Sequence, residues 1–282
     1  LCCLSGLFCT AIAGYLFYDQ FPEAWKAAGM LVGLYTGGTP NVLAIGLALE
    51  APTNYAVLIQ AADILLGGSI LLGLVSFLPA IYGRFFRSSD QGTGEEHRKL
   101  SKMVPFRRQL PQLLAGLLVT AISIGLCLLV AGKIEENMAI LILLLTTISL
   151  VVSAIPVAQR LGNTYPLGEY FILVFCVAIG LAADFWELAE KGLGLLYFSA
   201  LALLTTTLLH LLLSKLFNLD RDTVILSYVA ALYGPIFVVQ VAAALKNQRL
   251  LAAGIAVSLL GFGIGNYLGV SLAYFVAWLG GG

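Results

Sequence analysis

Charge is scarce in this 282-residue sequence: only 11% of residues are Asp, Glu, Lys or Arg, against 60% hydrophobic. A water-exposed domain carries about one quarter charged residues, so an ordinary solvated surface is excluded. An excess of one sign is missing as well. The 15 basic and 15 acidic residues cancel, which removes the case for a basic nucleic-acid groove or an acidic tail; nucleic acid is not an expected partner. Histidine occurs only twice, and no HExxH, GxSxG or Walker loop is present. No catalytic set can be assembled, and an enzyme is not expected. The five cysteines (Cys2, Cys3, Cys9, Cys127, Cys176) form no CxxC and have no neighbouring His, so they read as small apolar side chains in helices.

What is abundant is long apolar sequence, with a mean hydropathy of +0.96. Runs of roughly 20 apolar residues can cross a bilayer core of about 30 Å. Nine such runs are found: 1–18, 24–50, 54–83, 112–131, 137–160, 167–184, 192–217, 222–246 and 249–279. The expected fold is therefore an all-α polytopic membrane protein with about nine transmembrane segments. The polar, basic stretch 84–111 divides a three-span part from a six-span part, giving units 1–86 and 112–282 joined by the loop 87–111. If every segment crosses once, eleven Lys and Arg fall on the side of that loop and four on the other, which places the loop in the cytoplasm. The chain begins Leu1-Cys2-Cys3-Leu4 inside an apolar run, without a basic n-region or cleavage motif. A signal peptide is not expected there, and a piece of a longer protein is.

The three spans before the loop resemble the last three. Residues 24–50 carry Gly-Gly and Pro near their middle, residues 222–246 carry Gly-Pro, and Leu-Tyr precedes each break (Leu34-Tyr35, Leu232-Tyr233). Gly and Pro interrupt the helical ladder and leave N–H and C=O groups that lipid cannot satisfy, so such backbone survives where it lines a hydrated cavity or meets a ligand. Half-helix N-termini attract anions and C-termini cations, and matched interrupted spans point to a transporter site. Kinked helices packed on small residues are the plainer alternative. Counting crossings gives the two interrupted spans the same orientation, whereas an inverted repeat needs an odd offset. Either a segment does not cross, or an element re-enters, or the repeat is parallel.

Asp63 is the sharpest single candidate, because a lone carboxylate among Ala61, Ala62, Ile64 and Leu65 is costly to bury unless it faces a cavity and takes a proton or cation, or sits near the membrane boundary and only caps or hydrogen-bonds a neighbouring helix. Thr36, Thr39 and Asn41 flank the first break; they can ligate Na⁺ or hold a carboxylate, or simply cap freed backbone. Gln60, Gln240 and Asn266 read as interhelical hydrogen-bonding residues. His210, close to Lys215, reads as interfacial, and Glu169, Asp184, Glu187 and Glu190 as solvated span ends. Gly29, Gly33 and Gly37, like Gly261, Gly265 and Gly269, recur every fourth residue, a small-xxx-small pattern that brings helices close together.

The segment Tyr35-Thr36-Gly37-Gly38-Thr39-Pro40-Asn41 resembles the YTGGS-x-N signature of the YjcL-like membrane proteins, a domain of unknown function found in bacteria and plastids. Ala61-Ala62-Asp63 is similar to that family's Ala-Asp step, and Gly261–Gly269 to its glycine-rich last helix. Ala231-Leu232-Tyr233-Gly234-Pro235 stands where the family usually has Asn-x-Gly-Gly-Pro, with Ala231 and Tyr233 as departures. The resemblance covers essentially the whole chain and implies that the family's first helices precede Leu1. It also implies kinship with the cation:proton antiporter and anion-transporter superfamily, including bile-acid symporters, and hence crossed discontinuous helices in a bacterial inner or plastid membrane.

Together these readings lead to a secondary active transporter of a small organic anion or cation, coupled to H⁺ or Na⁺. Tyr35, Thr36, Gly37, Gly38, Thr39, Asn41, Tyr233, Gly234 and Pro235 would form the crossed site, with Asp63 as the coupling acid and Na⁺ placed near Asn41 and Asp63. No other cofactor or metal is expected. The partners would be the bilayer and a small molecule or ion, with a homodimer as the candidate assembly. The alternative is a non-transporting membrane scaffold whose breaks pack against a partner subunit.

Overall fold

The computed structural model describes residues 1–87, 106–134, 137–162, 164–182, 185–247 and 249–281. Residues 88–105 of the basic loop and Asp184 lie outside the described residues, as do the side chains of Glu169 and Glu187. Among the described residues every regular element is a helix. In chain order these are α1 (Cys2–Leu16), α2 (Ala24–Gly37), α3 (Thr39–Ala48), α4 (Tyr55–Val75), α5 (Leu78–Phe85), α6 (Phe106–Ala131) and α7 (Met138–Ala154). They continue with α8 (Pro156–Gln159), α9 (Tyr165–Ala182), α10 (Phe185–Lys191), α11 (Leu193–Leu216), α12 (Arg221–Leu232), α13 (Pro235–Ala244) and α14 (Leu251–Leu279).

Among the described residues four helices are each long and apolar enough to cross a bilayer: Tyr55–Val75, Gln109–Ala131, Leu193–Leu216 and Leu251–Leu279. Their outward faces carry leucines such as Leu72, Leu129 and Leu212, and their inward faces alanine, glycine and aromatic residues. Such a distribution suits a surface covered by acyl chains. The run 54–83 is not one helix. The backbone leaves the helical region at Ser76 (φ −103, ψ −85), and Pro79 in the first turn of α5 removes a donor that a continuous helix would need. Helix α6 begins at Phe106, inside the stretch expected to be loop.

The two glycine-interrupted segments fold back on themselves. Gly38 (φ 84, ψ −171) ends α2 and starts α3. Lys26, in the first turn of α2, donates from Nζ to the carbonyl of Glu50, just past α3, at 2.9 Å. A straight helical run between those two residues would span about 36 Å. Along the pair, a Cβ at Gly33 would come within 2.2 Å of Ile45 Cδ1, and one at Gly46 within 2.9 Å of Met30 Cε. Helices α2 and α3 thus lie side by side and antiparallel, a helical hairpin with Gly38 at its tip. The second pair does the same. Gly234 (φ 81, ψ −177) separates α12 from α13, and Asn247 beyond α13 donates Nδ2 to Asp222 Oδ2 in the first turn of α12 at 2.9 Å. Each chain leaves its hairpin through a left-handed residue, Glu50 (φ 50) and Lys246 (φ 56), twelve positions after the tip glycine.

The sequence places both breaks, and at each of them the backbone turns back into a hairpin rather than running on as a straight broken helix. A glycine at positive φ with extended ψ reverses the chain, a conformation essentially closed to other residues. Small residues on the facing arms then let the arms lie together.

The hairpins open at opposite ends of α11. Phe21, just before the first hairpin, packs on Phe198 near the start of α11 with ring centroids 5.8 Å apart. At the other end, Arg221 N bonds the carbonyl of Arg87 at 3.0 Å, and Lys215 reaches the carbonyl of Phe85. The length of α11, about 36 Å, lies between them. Helix α1 packs antiparallel on α11, with Phe17 stacked on Phe198 at 5.7 Å and Gly6 beside Thr206. Helix α14 makes the broadest contact with the first hairpin, along the glycine stripes. A Cβ at Gly29 would lie 2.6 Å from the carbonyl of Gly269, and one at Gly261 would lie 2.0 Å from that of Thr36. The four-residue glycine spacing is thus helix packing, as expected.

Candidate functional site at the hairpin tips

Both tips abut one aromatic ring. A Cβ built on Gly38 would lie 3.6 Å from Phe262 Cε1, and one on Gly234 would lie 3.3 Å from its Cζ. Phe262, on α14 between Gly261 and Gly263, is half-buried there. Helices α3 and α13 each start at a tip, each has glycine as its N-cap, and neither receives a side-chain cap. Pro40 and Pro235 occupy their first turns, where a missing N–H costs nothing. The remaining N–H groups and the positive ends of both helix dipoles converge near Phe262.

Helix α4 supplies the polar groups. Gln60 is 6% exposed; its Nε2 donates to Thr39 Oγ1 at 2.9 Å, and its Oε1 has no partner. Asp63 lies three residues on, on the same face of α4. Its half-buried carboxylate sits against Gly67, where an added Cβ would come within 2.5 Å of Oδ1. No hydrogen bond or counter-charge reaches that carboxylate from the described residues. Tyr233, at the end of α12, donates its hydroxyl to the carbonyl of Gly67 at 2.8 Å and so ties the second tip to the turn of α4 that bears Asp63. The phenols of Tyr35, Tyr228 and Tyr233 all stand within electrostatic reach of Asp63. Tyr35 donates to the carbonyl of Ser199 at 3.3 Å, and the Tyr228 hydroxyl pairs with Thr207 Oγ1 at 2.8 Å.

The residues singled out in the sequence divide into two groups. Gly38, Thr39, Tyr233, Gly234 and Pro235 lie at the two tips, Asp63 lies on the α4 turn tied to the second tip by Tyr233, and Tyr35 is buried against α11. Thr36, Gly37 and Asn41 turn toward packing. Thr36 bonds the carbonyl of Val32 within its own helix at 2.7 Å, and Asn41 Nδ2 reaches the carbonyl of Phe262 at 3.4 Å from between Gly37 and Gly265. Asn41 faces α14 while Asp63 faces the second hairpin. Asn266 bonds Thr146 on α7 at 3.0 Å, the interhelical role expected of it, and Gln60 bonds across to α3 in the same way. His210 is not interfacial. It is fully buried, with Nε2 3.2 Å from the carbonyl of Val224 and its ring 5.8 Å from that of Tyr228. Sequence reasoning passed over Phe262 and Tyr228. A lone aromatic between two glycines of a packing stripe was the available signal for Phe262.

Comparison with known proteins places this arrangement. The family described as "Protein of unknown function (DUF819)" matches residues 1–279, and the chain belongs to that family. The chain is 24% identical over 280 residues to "Uncharacterized membrane protein YjcL" of Bacillus subtilis (strain 168), covering 92% of this chain and 69% of that protein. No solved structure matches it. The chain is thus a membrane protein of all-helical architecture.

Proposed function

We propose that this member of the DUF819 family is a secondary active transporter of a small organic anion or cation, coupled to H⁺ or Na⁺, with alternating access around the tips of its two hairpins. The observation that carries this reading is the meeting of both tips at Phe262, with an acid, Asp63, on the turn of α4 that Tyr233 ties to the second tip, and no neutralising partner for it among the described residues. Interrupted helices at such a place put dipole ends and free backbone where a ligand can use them. An unpaired intramembrane carboxylate is costly unless it takes a proton or cation during the cycle.

The hairpins also bear on topology. If they re-enter while α1, α4, α6, α7, α9, α11 and α14 cross, the first hairpin inserts from one face and the second from the other. The two halves then form an inverted repeat, which removes the parity conflict of simple counting. Under this topology Lys26, Lys133 and Lys191 are alone on one side, and the other twelve of the 15 basic residues share the side of the 84–111 connector. That is a stronger bias than one crossing per segment gives, and it supports a cytoplasmic or stromal connector.

The test uses the full-length protein in liposomes on a solid-supported membrane, with currents recorded for carboxylates, amino acids and alkali cations across pH. Substrate-dependent current that falls at least tenfold in Asp63→Asn is expected. Silence across the panel from folded protein would overturn transport. It would favour the scaffold reading, to which the apolar lining of the second tip by Ala231, Tyr233 and Phe237 lends support.

A further inference from the structure

The polar groups at the tips are of two opposite kinds, and neither kind is satisfied among the described residues. On one side stand the uncapped N-termini of α3 and α13, two ten-residue helices whose first turns present donors and partial positive charge. On the other, along one face of α4, stand two acceptors: the Gln60 Oε1, buried without a partner, and the Asp63 carboxylate, also without one. The Gln60 side chain is fixed at the first tip by its bond to Thr39, the first residue of α3. Asp63 is brought to the second tip through Gly67 and the Tyr233 hydroxyl. An anion alone would satisfy the helix ends and be repelled by Asp63. A cation alone would satisfy Asp63 and face two positive dipole ends. A buried acceptor left open costs as much as a lost hydrogen bond, so a ligand that fills only half of this set leaves the other half unpaid.

We infer that the site takes a zwitterion: a small molecule carrying a carboxylate and a primary ammonium, of the amino-acid class. The carboxylate lies at the N-termini of α3 and α13. The ammonium, with three donors and no acceptor, lies between Asp63 and the Gln60 Oε1. The Phe262 ring that meets both tips would favour an apolar body on the ligand. This inference rests on the reading of the hairpin tips as a substrate site, and it narrows that reading from an anion or a cation to a molecule that is both.

The test is binding, independent of flux. The full-length protein in detergent is melted with each of the standard amino acids and with γ-aminobutyrate. Every compound that stabilises it is then compared with its N-acetyl and methyl-ester derivatives, which carry only the carboxylate or only the ammonium. At least one zwitterion is expected to stabilise the protein, and each derivative to bind about tenfold or more weakly, the loss of one charge-assisted hydrogen bond. In Asp63→Asn the zwitterion and its N-acetyl derivative are expected to bind alike. Equal wild-type binding of the zwitterion and either derivative overturns the inference, as does the absence of stabilisation by any compound. The wild-type comparison decides the matter even if Asp63→Asn does not fold. Selective zwitterion binding without current would keep the inference and remove transport. Current driven by carboxylates that lack an ammonium would keep transport and overturn the zwitterion.

Discussion

The two hairpins have nearly the same backbone and very different surroundings. Their tip glycines differ by only a few degrees in φ and ψ, and both leave through a left-handed residue twelve positions on. The first hairpin, however, is pressed backbone to backbone against α14 through Gly29, Gly261 and Gly269, with Thr36 and Asn41 buried in the seam against Gly265. The second meets α14 through side chains, as where Gly254 faces Val238 Cγ1, and through one interhelical bond, Ser258 Oγ to the carbonyl of Ala230 at 2.9 Å. Within it, the Tyr233 ring packs against Tyr228 at 6.2 Å and Phe237 at 6.0 Å. The proposed site rests on the shared tip geometry. The different packing sets a hairpin held by close backbone contacts against one held by side-chain contacts.

The largest expected effect tests that difference on a single helix. Gly261→Ala would force a methyl to within 2.0 Å of a carbonyl oxygen, whereas Gly254→Ala meets only the end of a valine at 2.7 Å. Thermal unfolding in detergent is expected to show a loss of about 3 kcal/mol for the first and about 1 kcal/mol or less for the second. Equal losses would erase the distinction between a hairpin held by backbone contacts and one held by side-chain contacts.

The open ends differ in the same direction as their chemistry. Asp222 is fully buried and accepts from Arg221 Nε at 2.8 Å and from Asn247, while Lys26 is bonded to the Glu50 carbonyl and paired with the half-exposed Glu23 at 2.6 Å. Asp222→Ala, which removes a fully buried carboxylate from its bonds to the partly exposed Arg221 guanidinium and to the Asn247 amide, is expected to cost about 3 kcal/mol, and Lys26→Met about 2 kcal/mol. The same melts read both. The tips themselves should not differ: Gly38→Ala and Gly234→Ala each force a side chain into the glycine-only region at about 2 kcal/mol. A tolerated substitution at either tip would break the likeness of the two turns. Smallest of all, Ser258→Ala removes a bond between helices and should cost about 1 kcal/mol, while Thr36→Val removes one within a single helix and should lie within about 0.5 kcal/mol of wild type.

Much of this was legible in the sequence. The all-helical fold follows from apolar runs with so little charge between them. The breaks follow from Gly37-Gly38-Thr39-Pro40 and Gly234-Pro235, and the close helix packing follows from glycines at every fourth position. The reversal at each break was not legible, for a geometric reason. The fourteen residues of α2 and the ten of α3 would, laid end to end, span about the thickness of a bilayer. Hydropathy cannot separate one crossing from a path halfway in and back. The contacts that do separate them, Lys26 with Glu50 and Asp222 with Asn247, join residues more than twenty positions apart that carry no local signal. Asp63 was visible as a lone acid in an apolar run. Its aromatic company was not, since Tyr35, Tyr228 and Phe262 come from three different helices. His210 misled because nearness to Lys215 in sequence suggested the interface, while the ring turns inward to Val224 and Tyr228.

The central claim, that two hairpins reach the same ring from opposite faces of the membrane, is tested most directly by sidedness. Single cysteines replacing Glu23, Glu50, Asn218 and Lys246 in an otherwise cysteine-free full-length protein would be labelled in oriented vesicles with a membrane-impermeant maleimide. The account predicts that positions 23 and 50 react from one side and positions 218 and 246 from the other. Labelling of 23 and 50 from opposite sides, or of all four from the same side, would contradict it.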